Sequence, residues 1–178
     1  MTESTLPVLI VSGPPAAGKT TLAGLLARQQ ERGVHLATDY FFDVICAGYV
    51  APWLVAAAAQ NATVIRAAAA TAAVYANAGY TTVIDGVVLP WALALYRTEL
   101  ARYGVRAHCV VLLPSAAVVI QRGLARVEQH GLTEAVYRQL HGQFVAAFAG
   151  GDVPVYDAQL PLATLATLAL AHWKSPGT

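Results

Sequence analysis

The segment Gly13-Pro14-Pro15-Ala16-Ala17-Gly18-Lys19-Thr20 follows the pattern G-x-x-x-x-G-K-[ST]. Small residues and glycines let backbone N–H groups turn inward and approach phosphate oxygens. A helix opening near Lys19 would aim the positive end of its dipole at the same anion. A lysine in this place reaches the β- and γ-phosphates, and the following threonine hydroxyl binds Mg²⁺. The residues expected to hold a nucleotide are therefore Gly13, Pro14, Pro15, Ala16, Ala17, Gly18, Lys19, Thr20 and Thr21. The chain has nine arginines and only two lysines, Lys19 and Lys174. A chain so sparing of lysine that places one here points to a local reason.

Two acidic residues come next. Asp39, in Ala37-Thr38-Asp39-Tyr40, follows a short apolar run. A carboxylate there could accept or orient the proton of a substrate hydroxyl as it attacks phosphorus, or could cap the next helix. Asp43 lies one turn later, either beside a substrate or on a solvated helix face. Asp85 ends the β-branched run Thr82-Val83-Ile84 and precedes Gly86. Apolar strand followed by aspartate is the form that holds Mg²⁺ in P-loop proteins, so Thr20 and Asp85 are the expected metal pair. Gly86 would permit close approach of a substrate.

Arg122 and Arg126 are four residues apart on one predicted helix face and could neutralise charge developing on a transferred phosphoryl group. With Lys19 and Asp39 they make up the expected catalytic set. The stretch from Arg126 to Thr133 is short, so a lid over about 122–133 would be a small loop. Tyr49, Trp53 and Trp91, with Gln60, Asn61 and Arg66 as polar anchors, are candidates for an acceptor pocket. Several of these aromatics would serve equally well as core. Arg66 is isolated, whereas a nucleoside monophosphate acceptor usually needs an arginine cluster; an uncharged or weakly charged acceptor fits better. The five histidines have no metal-binding spacing, and His141 is expected to be structural.

These residues need elements to carry them. Short β-branched runs at Val8–Ser12, Val34–Ala37, Thr81–Ile84, Ala107–Leu113 and Val153–Tyr156 predict five strands. Between and after them lie predicted helices over Thr20–Arg32, Tyr40–Gly48, Leu54–Ala78, Trp91–Tyr103, Ser115–Gln129, Thr133–Ala149 and Pro161–Trp173. Strands alternating with helices imply an α/β fold, a parallel sheet covered on both faces. In such sheets ligands sit at the carboxyl ends of the strands, where Asp39 and Asp85 fall.

Length fits one domain over residues 1–178, with about 40–78 as the substrate-binding helical segment. The net charge of +1 without a basic run argues against nucleic acid as a partner. No apolar run is long enough to span a bilayer, and residues 1–7 lack a signal-peptide pattern. Two distant cysteines point to a reducing cytoplasm. The chain could be a monomer or a homodimer.

Taken together, Gly13–Thr20, the pair Asp39 and Asp43, Val83-Ile84-Asp85-Gly86-Val87, and Arg122 with Arg126 resemble the chloramphenicol phosphotransferase group of P-loop kinases. Shikimate and gluconate kinases are more distant relatives, and the group includes tunicamycin-resistance-like proteins. The likeness covers most of residues 7–157, and the phosphate loop is its most specific part. It implies a P-loop NTPase sandwich with a five-stranded parallel sheet of order 2-3-1-4-5. It further implies ATP and Mg²⁺ as cofactors, Asp39 as general base, and a small-molecule acceptor with a hydroxyl, an antibiotic among the options. The expectation is γ-phosphate transfer from ATP to that hydroxyl. The alternative is a nucleotide-dependent protein that sequesters a drug without modifying it. A regulatory GTPase would need an N-K-x-D motif, and neither lysine follows an asparagine.

Overall fold

The computed structural model describes residues 7–125 and 132–175. Five strands form one parallel sheet: β1 (Val8–Ser12), β2 (Gly33–Ala37), β3 (Thr81–Gly86), β4 (Ala107–Leu112) and β5 (Val155–Tyr156). Their order is β2-β3-β1-β4-β5, as the resemblance implies. The helices are α1 (Lys19–Arg28), α2 (Thr38–Asp43), α3 (Ala58–Asn77), α4 (Pro90–Ala101), α5 (Ala116–Leu124), α6 (Glu134–Phe148) and α7 (Leu162–Lys174), with a 3₁₀ turn at Val55–Ala57. Among the described residues, no helix is long and apolar enough to cross a membrane.

The central strands are apolar on both faces because both faces are covered. Leu9, Val11, Val83 and Val110 pack with Leu22 and Leu26 of α1 and with Leu165 and Trp173 of α7. Val8, Ile10, Ile84 and Val111 pack with α3, α4 and Phe144 and Phe148 of α6. Ala68, Ala69, Ala72, Ala73 and Ala76 of α3 are all buried. Their 3.6-residue periodicity makes a stripe of methyl groups, and small side chains let this helix sit close to the sheet and to α4. Much of the alanine-rich stretch is therefore packing surface.

Element ends differ from expectation for local reasons. Helix α1 stops at Arg28, four residues early, because Gly33 already starts β2 under it; a Cβ there would run into the main chain of Ala27. Helix α2 starts two residues early, with Ala37 as its extended N-cap, and ends at Asp43. Asp39 therefore lies in the first turn of α2 and is not the cap. Thr133 caps α6 as expected, its hydroxyl accepting from Val136 N at 3.4 Å.

Candidate functional site

Strand register gathers the carboxyl ends of β1, β2 and β3. Asp85 of β3 pairs with Val11 on one side and Ala37 on the other. Two residues past Val11 the chain enters the phosphate loop, and two residues past Ala37 it reaches Asp39. Ser12 locks this end of the sheet: its hydroxyl donates to Val88 O at 2.7 Å and accepts from Val88 N at 3.0 Å.

The loop itself holds Gly18 at φ 95° as the N-cap of α1, and Ala16 at φ 62°. Left-handed residues alternating with right-handed ones curl the backbone into an anion-binding concavity, and the first N–H groups of α1 open into it. Lys19 is buried, and its Nζ donates to Pro14 O at 2.9 Å, so its charge lies over the loop. Thr20, one residue on, is exposed at the mouth.

Thr20 donates its hydroxyl to Asp85 Oδ2 at 2.8 Å. The expected metal pair thus meets directly, although the residues come from different elements. Asp85 is nearly fully buried yet doubly satisfied, because His35 Nε2 lies 2.6 Å from Oδ1. A hydroxyl and a carboxylate at the rim of a phosphate cradle are hard oxygen donors that suit Mg²⁺, which commonly takes its remaining ligands from phosphate and water. Among the described residues, no group of three or more His, Cys, Asp or Glu is arranged to hold a metal on its own. The residues present fit a metal that arrives with a nucleotide.

Sequence reasoning passed over His35, having looked for metal-binding spacing. Strand periodicity could have put His35 on the face of Ala37, two residues on, but only the β2–β3 register shows that Asp85 projects on that face.

Asp39 and Asp43, four apart on α2, are both exposed. Tyr49 folds back toward them, and its hydroxyl is pushed up from the usual tyrosine range by burial and then by the charges of Asp43 and Asp39. Trp53 is half-buried in the loop that follows. Trp91 is exposed at the start of α4 and, with Leu89, Pro90, Gln143, Ala146 and Ala147, lines an open depression of about 440 Å³ between α4 and α6.

Other expected site residues have different work. Arg66 pairs with Glu99 of α4 at 3.4 Å, and Glu99 also pairs with Arg102 at 3.0 Å. Asn61 donates to Pro52 O at 2.8 Å, and neighbouring Gln60 clasps Val50 through both main-chain groups. All three anchors thus have partners within the protein. Gly86 makes room for Thr38 in place of a substrate: a Cβ would stand 2.6 Å from the Thr38 hydroxyl. That hydroxyl donates to Asp85 O at 2.8 Å and lies 3.3 Å from the Tyr96 hydroxyl. Burial pushes Tyr96 up to about 12. His141 is structural, with Nε2 2.9 Å from Pro114 O. Arg122 is exposed near the end of α5. Arg126, and half of the expected lid (126–131), lie outside the described residues.

Residues 8–149 match the family model AAA_33, described as an AAA domain. The chain belongs to that family. Its fold is shared with solved kinase structures. The APS kinase of Mycobacterium tuberculosis, solved with AMPPNP and APS, aligns at a TM-score of 0.71 with 16% identity over 96% of this chain and 99% of its own. A sugar kinase from Janibacter sp. aligns at 0.65 with 20% identity over 94% of each chain. The tunicamycin resistance protein of Deinococcus radiodurans aligns at 0.68 with 16% identity over 96% of this chain and 97% of its own. No curated protein matches by sequence. This AAA_33 member is thus a P-loop domain of kinase-like fold.

Proposed function

We propose that this protein transfers the γ-phosphoryl group of ATP to a hydroxyl of a small molecule. The observation that carries the proposal is the meeting of Thr20 and Asp85 at 2.8 Å at the mouth of the phosphate loop, over which Lys19 reaches to Pro14 O. Two residues past Ala37, the register partner of Asp85, Asp39 supplies an exposed carboxylate in the first turn of α2, which supports a base in this site. Binding alone needs the loop; a base beside it is what transfer needs.

In this account the loop amides and Lys19 hold the β- and γ-phosphates. Thr20 and Asp85 hold Mg²⁺, which when bound would draw negative charge from the phosphate oxygens. Asp39 accepts the acceptor's hydroxyl proton as that oxygen bonds to the γ-phosphorus. The bond from that phosphorus to the β,γ-bridging oxygen breaks, and ADP leaves. Arg122 and Arg126 steady the transferred group. Asp43, Tyr49, Trp53 and Trp91 form the acceptor wall, within the segment 40–78 and the start of α4. The whole chain acts as one kinase domain.

The commitment of Arg66 to Glu99 supports an acceptor without a strong negative charge, because it withdraws the arginine expected in that segment. Kinases of sugars and of APS among the similar folds fit small-molecule acceptors. The tunicamycin resistance protein keeps a hydroxylated antibiotic among the options. Free Cys46, which is exposed, and buried Cys109 fit a reducing cytoplasm. The test is incubation with ATP, Mg²⁺ and a panel of sugars, nucleosides and hydroxylated antibiotics, read by mass spectrometry. One acceptor gaining a phosphate supports the proposal. A ligand that binds tightly and is recovered unmodified points to sequestration.

A further inference from the structure

We propose that His35 is a positioning residue for Asp85: its ring N–H fixes one carboxylate oxygen so that the other stays turned toward Thr20 and the metal position. The proposal rests on the assignment of Thr20 and Asp85 to Mg²⁺ and adds to it a residue outside the phosphate loop and the strand-end carboxylate.

The geometry is specific. Parallel register pairs Ala37 with Asp85 and His35 with Val83, so the two side chains project on one face a step apart. Val83 packs against α1, and α1 carries Thr20. His35 Nε2 is 2.6 Å from Oδ1, while Thr20 Oγ1 is 2.8 Å from Oδ2. A buried carboxylate must have its oxygens satisfied, and two donors on two different oxygens define the plane of the group. With one donor, the carboxylate could rotate about its own bond and leave the metal-facing direction.

The contact does not serve strand pairing. β2 lies at the sheet edge, where an aliphatic or β-branched residue would satisfy the fold. The main chain at Asp85 is held separately, by the Thr38 hydroxyl at 2.8 Å. Among the described residues, the polar end of His35 therefore acts on the Asp85 side chain. Outer hydrogen bonds of this kind to a ligating carboxylate raise metal affinity about 10- to 100-fold.

The experiment measures binding of a fluorescent, non-hydrolysable ATP analogue to the full chain across a Mg²⁺ titration. The variants are His35→Leu, His35→Phe, His35→Gln and Asp85→Asn, each melted first to confirm folding. His35→Leu is expected to need about tenfold more Mg²⁺ for half-saturation, with metal-free analogue affinity unchanged. His35→Gln, which returns an N–H at similar reach, is expected to recover most of the loss. Should His35→Leu not fold, His35→Phe keeps the ring volume without the donor and carries the same comparison. A wild-type Mg²⁺ dependence in the donor-less variant, with Asp85→Asn shifted, overturns the role of His35 alone. A His35→Gln protein as impaired as His35→Leu also overturns it, since the N–H would not be the active feature. If Asp85→Asn shifts nothing, the metal assignment falls and the role of His35 falls with it.

Discussion

Thr20 and Asp85 are 65 residues apart in sequence, yet the Thr20 hydroxyl donates to Asp85 Oδ2 at 2.8 Å. Because they form one unit, Thr20→Val and Asp85→Asn should not act independently. Each is expected to weaken Mg²⁺-dependent nucleotide binding about tenfold or more. The double variant should lose less than the sum, with a coupling of about 1 kcal/mol or above. Calorimetric titration of an ATP analogue at fixed Mg²⁺ measures the cycle, and strict additivity would argue against a shared site.

The phosphate loop carries a second test in Ala16. Its φ of 62° costs a non-glycine residue about 1 kcal/mol. Its methyl is buried with Val119 and Tyr137, a gain of about 0.8 kcal/mol. The two nearly cancel, so Ala16→Gly should leave Tm within about 3 °C. Ala16→Val adds branching to the same strained backbone and should cost about 2 kcal/mol or more. Differential scanning calorimetry separates the two.

Helices α5 and α6 meet at Gly123 and Tyr137. A Cβ on Gly123 would run into the Tyr137 ring, which is fully buried. The helix-propensity gain of Gly123→Ala, about 1 kcal/mol, is outweighed by overpacking of about 1–3 kcal/mol. The net cost is up to about 2 kcal/mol, so Tm should fall by up to about 8 °C. Adding Tyr137→Leu removes the ring that the new methyl meets. The methyl should then cost nothing in that background, which a thermal-melt cycle reads directly.

Acid should loosen α7. The His172 ring lies 5.4 Å from that of His108. Burial holds its pKa below the ordinary 6.5, and repulsion from His108 adds to this, partly offset by a hydrogen bond to the Cys109 main chain. The native state therefore resists protonation that the unfolded chain accepts. Stability is full above about pH 6.5 and is lost as pH falls below it toward the depressed native value. Wild-type Tm should drop across that window more than Tm of His172→Gln. Parallel melting curves for the two proteins would contradict this.

What the sequence made legible was local or periodic. The phosphate loop is one contiguous segment, and Asp85 is marked by the apolar run before it, so both were visible without a fold. The strand order came from family resemblance, and the helix ends were set by packing, as Gly33 under α1 illustrates. Contacts between distant segments were hidden. Arg66 looked available because its partner Glu99 lies 33 residues away. Gly86 looked like a substrate opening because the hydroxyl it admits belongs to Thr38, on the neighbouring element. His35 required the β2–β3 register, and a slip of one residue would have turned it to the opposite face.

Phosphate transfer is the central claim, and following the label from [γ-³²P]ATP tests it most directly. Wild-type protein, Asp39→Asn and Lys19→Ala would be compared at saturating Mg²⁺ with an acceptor found by the screen. The account predicts labelled acceptor formed in step with ADP by the wild type. It also predicts a loss of about a hundredfold or more with either variant. Labelled acceptor formed at an undiminished rate by Asp39→Asn would contradict the base assignment. ADP or free phosphate released with the acceptor left unlabelled would contradict phosphotransfer itself.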